Sequence, residues 1–265
     1  MPNEETRYAN KVFMAGALPL MKIIATDVPS LNKLFTLPRI NAVYQVSVKA
    51  DGKKEGVHFV VTKGEWETYQ GLYEGPNQID GELAFSSMEK MNAFMKGDMT
   101  KLPAIKIKNV PKFGLFMAVL LKMSALLNMA EPPEDEETQL LLTKLYFSLL
   151  STGISALNKL GHPAVSKWVK ESPDRCYQWE VVGHPEVAAY LRIAEGKSKA
   201  GKGIYERSKP FFTMKFDCAR SALLILMEIG DMFEMTANRQ LIMEGGPEFG
   251  VQLGDHMTTV GHLAK

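Results

Sequence analysis

The chain repeats itself, and that repeat narrows its fold more than any other feature. Five short matches recur in the same order along its length. Leu31-Asn32-Lys33-Leu34 matches Leu157-Asn158-Lys159-Leu160, and Tyr44-Gln45 matches Tyr177-Gln178. Gly71-Leu72-Tyr73-Glu74 answers to Gly203-Ile204-Tyr205-Glu206, and Gly97-Asp98-Met99 to Gly230-Asp231-Met232. Pro111-Lys112-Phe113-Gly114 answers to Pro247-Glu248-Phe249-Gly250. One such match is uninformative, but five in order at a nearly constant offset point to duplication. Between the copies runs Glu131-Pro132-Pro133-Glu134-Asp135-Glu136-Glu137. Adjacent prolines stop a helix and the acids favour solvent, which places copy one at residues 1–130 and copy two at 131–265. The acids can also form the negative first turn of the next helix. A copy of about 130 residues can bury a core without disulfides or metal.

Periodicity gives each copy the same order of elements. In copy one, Asn10 to Ile24 has helical spacing interrupted by Pro19, and Ser30 is the expected N-cap of a short helix through Phe35. Val43 to Val48 then alternates as a strand, Asp51-Gly52 is a hairpin signal, and a second strand includes His58 to Val61. Glu65 to Tyr73 fits neither period. Asp80-Gly81 is read as a turn before the strand Glu82 to Phe85. Ser86 or Ser87 caps a helix from Met88 to Lys96, which Gly97 ends. Ala104 to Lys108 is a strand and Phe113 to Leu127 a nearly all-apolar helix. In copy two, helices are expected within Gln139 to Leu160 and strands at Tyr177 to Val182, Val187 to Ala194 and Phe211 to Phe216. A helix at Ala219 to Ile229, a strand at Arg239 to Met243 and a helix at Phe249 to Leu263 complete it. The fold class is α+β: in each copy a mostly antiparallel sheet covered by helices.

Composition excludes several functions. Of 265 residues, 46% are hydrophobic and 23% charged, the balance of a soluble globular chain. A net charge of +1 lacks the basic excess of a nucleic-acid binder. Cys176 and Cys218 match no metal or disulfide spacing and read as buried free thiols of a reducing compartment. The start is acidic, unlike a secretory signal, and the run Val12 to Ile24 is too short to span a bilayer. These features predict a soluble, cytoplasmic protein.

The strand Glu82 to Ser86, the helix Met88 to Lys96 ending at Gly97, the strand Ile105-Lys106-Ile107-Lys108-Asn109 and then Phe113-Gly114-Leu115-Phe116 resemble the sterol carrier protein family. Arg239-Gln240-Leu241-Ile242-Met243 and Phe249-Gly250-Val251 hold the same places less closely. The likeness covers the C-terminal two-thirds of each copy. It departs from the family in the short stretch Asp98 to Pro103, and at Cys218, where an acid is usual. The resemblance implies five strands per sheet, an apolar tunnel between sheet and helices, and binding of sterol, fatty acid or fatty acyl-CoA without catalysis or cofactor.

The residues themselves offer an apolar lining. Met91, Phe94 and Met95 share one helical face, with Met99 just beyond, and Phe113, Phe116, Met117 and Leu120 crowd the closing helix. Copy two offers Leu224, Met227, Phe233 and Phe249. Flexible Met and Phe side chains suit a bulky, loosely specified ligand, although the same residues can simply pack a core. Methionine is 16 of the 265 residues. The richer lining marks copy one as the competent site.

Other motifs fall short. Gly196-Lys197-Ser198-Lys199-Ala200-Gly201-Lys202-Gly203 lacks the Ser or Thr that a phosphate loop needs after Gly-Lys, and reads as a solvated turn whose lysines could meet an anionic head group. The five histidines do not cluster at metal spacing, and no nucleophile elbow exists. His58 and His256 read as structural or surface residues. Trp66, Trp168 and Trp179 read as packing, with Trp168 beside Lys167 and Lys170 able to touch a membrane surface. Three readings stay open. The first is a carrier of apolar ligands, acting as a homo-oligomer or beside a partner enzyme. The second is an enzyme, or accessory subunit, for a steroid or acyl-CoA. The third is a protein-interaction module with filled pockets.

Overall fold

The computed structural model describes residues 2–264, and its chain divides into two compact units. Unit 1 runs to Ala125 and takes in the last residues from Leu263; unit 2 is Leu126–His262.

Unit 1 opens with α1 (Glu4–Val12), capped by the Asn3 side chain accepting from the Thr6 amide at 2.7 Å. The helix passes through Pro19 rather than breaking there. A π turn at Phe13–Ala17 and a 3₁₀ turn at Leu18–Leu20 absorb the missing proline N–H, and α2 (Met21–Asp27) resumes. The next helix, α3 (Pro29–Thr36), starts two residues earlier than expected. Val28 stands at its cap position and Pro29 at its first turn, where a proline is preorganised, so Ser30 is not the cap.

Five strands follow: β1 (Ala42–Ala50), β2 (Lys53–Thr62), β3 (Glu65–Gln70), β4 (Gly81–Phe85) and β5 (Ala104–Ile107), in the order β3-β2-β1-β4-β5. The pair β1–β4 is parallel and the others antiparallel. Both central residues of the Asp51-Gly52 and Lys63-Gly64 turns have positive φ, the condition for a two-residue hairpin. The second turn resolves the ambiguous stretch as β3. Asp80-Gly81 is not a turn: Asp80 is buried, its carboxylate accepting from the Val43 amide at 3.0 Å and pairing with Lys112 at 3.0 Å. Ser87 caps α4 (Met88–Met95), and α5 (Val110–Leu127) closes the unit. Phe35, Tyr44, Phe59, Trp66 and Phe116 form a fully buried aromatic cluster between sheet and helices.

Unit 2 begins with one long helix, α6 (Glu136–Leu160). Asp135 caps it, Glu136 and Glu137 occupy its first turn, and Gly161 ends it in the left-handed region. A separate α7 (Pro163–Glu171) follows and carries Trp168 between Lys167 and Lys170. The sheet comprises β6 (Arg175–Val181), β7 (His184–Ala194), β8 (Lys197–Lys202), β9 (Phe212–Phe216) and β10 (Leu241–Glu244), with α8 (Ala219–Leu226), α9 (Met232–Ala237) and α10 (Pro247–Ala264). Its order is β10-β9-β6-β7-β8, with β6–β9 parallel. The phosphate-loop look-alike is the hairpin turn Glu195-Gly196 and the edge strand β8. A Cβ on Gly201 would lie 2.1 Å from Tyr190 Cζ, so a larger residue there would displace that ring.

Each unit is therefore an α+β sheet of five strands covered by helices. By length and composition, α5 and α6 could each cross a membrane; here Phe116 of α5 stacks on Tyr44, and α6 packs on β7 and β8. Cys176 is buried as expected, whereas Cys218 is exposed, at the cap position of α8.

Candidate functional site

The expected lining residues fall into three groups. Met91, Phe113, Phe116 and Leu120 are buried. Phe94, Met95, Met117, Leu224, Met227 and Phe249 are half-buried. Met99 and Phe233 stand out in solvent, 57% and 85% exposed. In unit 1, Phe94 meets Phe85 at 5.4 Å, and Phe113 meets Phe116 at 6.2 Å. Met91 lies under Asn10, whose side-chain amide is 3.4 Å from its sulfur and 3.1 Å from Asn92 Oδ1.

At the centre of unit 1 the buried tyrosine is satisfied. Phe116 stacks on Tyr44 at 4.8 Å, and the Tyr44 hydroxyl donates to the Lys112 carbonyl at 2.9 Å. Burial, with the Asp80 carboxylate adding to it, raises the Tyr44 pKa. Trp66 Nε1 and Thr68 Oγ1 on β3, and Arg7 Nε on α1, are exceptions, buried without a hydrogen-bond partner among the described residues.

Unit 2 differs at the corresponding place. Arg175, Tyr177 and Trp179 alternate along β6 and so share one face of the sheet. Trp168 from α7 packs on Tyr177 at 5.2 Å, and His256 from α10 lies on Trp168 at 4.4 Å. The Arg175 guanidinium sits 4.1 Å over Phe211 and 4.7 Å over Phe249, whose rings meet edge to face at 4.6 Å. Trp179 Nε1 donates to Met257 Sδ at 3.3 Å. Three other buried atoms of this wedge have no partner among the described residues: Tyr177 Oη, Trp168 Nε1 and Arg175 Nε. A buried polar atom left unpaired costs roughly 1–3 kcal/mol, so three around one ring cluster call for an explanation. Burial holds the His256 pKa down, and His162 acts the same way, against the opposing pull of Asp255; burial also lowers His162.

Of this wedge, sequence reasoning singled out Phe249 as lining, and read Trp168 and His256 as bland. Arg175 and Tyr177 were missed. The usable signal was the period-two spacing of three large side chains with polar handles on one strand.

The outer faces carry charge clusters instead. Glu82 accepts from Lys54 and Ser47 at 2.6 Å, Gln45 at 2.9 Å and Lys106 at 3.0 Å. Burial pushes its pKa up, but the hydrogen bonds from Lys54, Ser47, Gln45 and Lys106 outweigh that and hold it at about 2. In unit 2, Lys215 pairs with Glu180 at 2.9 Å, with Glu244 3.9 Å away. Among the described residues, no three His, Cys, Asp or Glu side chains group to hold a metal ion.

No family model matches the chain, and no curated protein matches it. Among solved structures, it is similar to the ubiquinone synthesis protein UbiJ-SCP2, with 18% identity and a TM-score of 0.28 over 44% of this chain and 96% of that one. It is also similar to a conserved hypothetical protein of Thermus thermophilus, described as a sterol carrier candidate, with 15% identity and a TM-score of 0.28 over 42% of this chain and 81% of that one. At these scores neither likeness bears on ligand or activity.

Proposed function

We propose that the chain is a tandem pair of sterol-carrier-like domains and a non-catalytic, cytoplasmic carrier of apolar ligands with a polar head, such as a sterol, fatty acid or fatty acyl-CoA. The matching strand orders and the parallel step in both sheets support duplication. The observation that carries the reading is the wedge of unit 2, where aromatic walls surround three unpaired polar atoms. An oxygen-bearing head can accept from Trp168 Nε1 and Arg175 Nε and bond to Tyr177 Oη, while Phe211 and Phe249 flank its tail. Each buried CH₂ contributes roughly 0.8 kcal/mol, so a long acyl chain reaches micromolar binding without any catalytic group. This geometry favours unit 2 over unit 1, although unit 1 has the richer Met and Phe content. The satisfied Tyr44 hydroxyl and its Phe116 stack favour a filled, structural role for the centre of unit 1.

Native mass spectrometry of the purified chain, followed by titration with a fluorescent fatty acid, tests the reading. One ligand per chain is expected, with binding weakened by Tyr177→Phe and unchanged by Phe94→Asp. The reverse pattern would move the site to unit 1. No co-purifying lipid and no uptake of the probe would overturn the carrier.

A further inference from the structure

The edge of unit 1 beyond β4 combines exposed apolar side chains with positive charge. Met99, Leu102, Ile105, Ile107 and Val110 are all exposed, Leu102 at 62% and Val110 at 71%. Every residue of β5 is exposed, and β5 ends its sheet, so one line of its backbone faces no further strand. Lysines interleave with these residues. Between 96 and 112 lie Lys96, Lys101, Lys106, Lys108 and Lys112 against Asp98 alone, so five positive charges less one negative leave four positive. Lys106 and Lys112 are tied to Glu82 and Asp80, whereas Lys96, Lys101 and Lys108 are exposed.

The corresponding edge of unit 2 has the same topology and the opposite charge. Between 229 and 248, Arg239 stands against Asp231, Glu234, Glu244 and Glu248, so four negative charges less one positive leave three negative. Whatever meets the edge of unit 1 is therefore not met in the same way by unit 2.

We infer that the β5 edge of unit 1, from Met99 to Val110 with Lys101 and Lys108, docks on an anionic lipid surface. Large apolar side chains enter the boundary between head groups and acyl chains, while ammonium groups meet the anionic heads. The interleaving of exposed apolar side chains with lysines suits the boundary between acyl chains and anionic heads, which favours lipid over a second copy of the chain. The acidic edge of unit 2 in another copy would meet the lysines. However, β10 is four residues long and runs into Gly245-Gly246-Pro247, which limits strand pairing. This docking does not depend on what the wedge of unit 2 holds.

Co-sedimentation of the full chain with vesicles of phosphatidylcholine, with and without phosphatidylserine, tests the inference. Binding is expected only with phosphatidylserine, and is expected to weaken as salt rises. Lys101→Gln and Lys108→Gln should each weaken it roughly fivefold. Leu102→Asp and Val110→Asp should weaken it further; Val110 opens α5, where an acid is compatible with the helix dipole. Phe233→Asp, at the unit 2 edge, should leave binding unchanged. Unaltered melting of each variant separates lost docking from lost folding. Equal binding to both vesicle types, no binding, or equal sensitivity to Phe233→Asp would overturn the inference. Self-association without vesicles that Lys101→Gln abolishes would also overturn it, by assigning the edge to a second copy.

Discussion

Tyr44 and Tyr177 hold matching registers, opposite Gly81 and Phe212 on the parallel neighbouring strand, yet their hydroxyls are treated differently. Tyr44 donates to the Lys112 carbonyl at 2.9 Å; Tyr177 is fully buried with no partner among the described residues. Removing the Tyr44 hydroxyl breaks this hydrogen bond, whereas removing that of Tyr177 breaks none. Tyr44→Phe is expected to cost about 1 kcal/mol in urea denaturation, and Tyr177→Phe to be neutral or slightly stabilising. A clear loss of stability in Tyr177→Phe would show that its hydroxyl is satisfied in the ligand-free chain.

Glu82 gives unit 1 an acid-sensitive element. Its folded pKa, about 2, lies below the ordinary carboxylate value of 4.5, so its stabilisation is complete above the latter. It is lost as pH falls from about 4.5 to about 2. At about 1.36 kcal/mol per pKa unit, the contribution at neutral pH has a ceiling of about 3 kcal/mol, which solvent screening of the exposed Lys54 and Lys106 partners reduces. Glu82→Gln should therefore destabilise unit 1 near pH 7 and converge with the unaltered chain at low pH. Parallel stability curves across that range would contradict it.

His256 acts in the opposite sense. Its folded pKa lies below the ordinary value of 6.5, chiefly through burial, so the unfolded chain binds the proton more readily. Stability is thus lost as pH falls below about 6.5, until the folded pKa is reached. His256→Gln should flatten this part of the profile in thermal melts, and an unchanged slope would rule His256 out as the source.

The two thiols should separate cleanly. Burial pushes Cys176 up to about 12, despite the opposing effect of Arg192, while Cys218 is exposed. A thiol-specific reagent is expected to modify one cysteine per native chain and both in denaturant. Protection of the Cys218→Ser variant until it unfolds would identify the reactive group.

Gly64 tests the second hairpin. Its φ is +92°, and a Cβ there would lie 2.7 Å from the Phe35 carbonyl oxygen and from Thr36 Cα. Gly64→Ala combines left-handed strain with a backbone clash and is expected to cost roughly 1–3 kcal/mol by chemical denaturation.

Much of this protein was legible in local pattern. Period-two alternation around Tyr44 and Tyr177 marked the central strands, because one row of side chains meets the helices. Asp51-Gly52 marked its hairpin because both residues accept positive φ. Ser87 and Gly97 marked the ends of α4, and the acidic run marked the start of α6. Edge strands were harder. Lys197 to Lys202 has almost no apolar residue, since Ser198 alone among them is buried, so its pairing with β7 leaves no hydrophobic trace. Lys63-Gly64 and Glu195-Gly196 turn as Asp-Gly does, but their residue types do not announce it.

By itself, then, the sequence determined most of the elements and the α+β plan of each unit, because period and turn chemistry act between neighbours. It could not decide which polar atoms are paired. The Lys112 carbonyl reaches Tyr44 across 68 residues, and Trp168, Tyr177 and His256 converge from a helix, a strand and a second helix. Hydrogen-bond satisfaction depends on distances of tenths of an ångström between segments far apart in the chain, and only tertiary packing sets those.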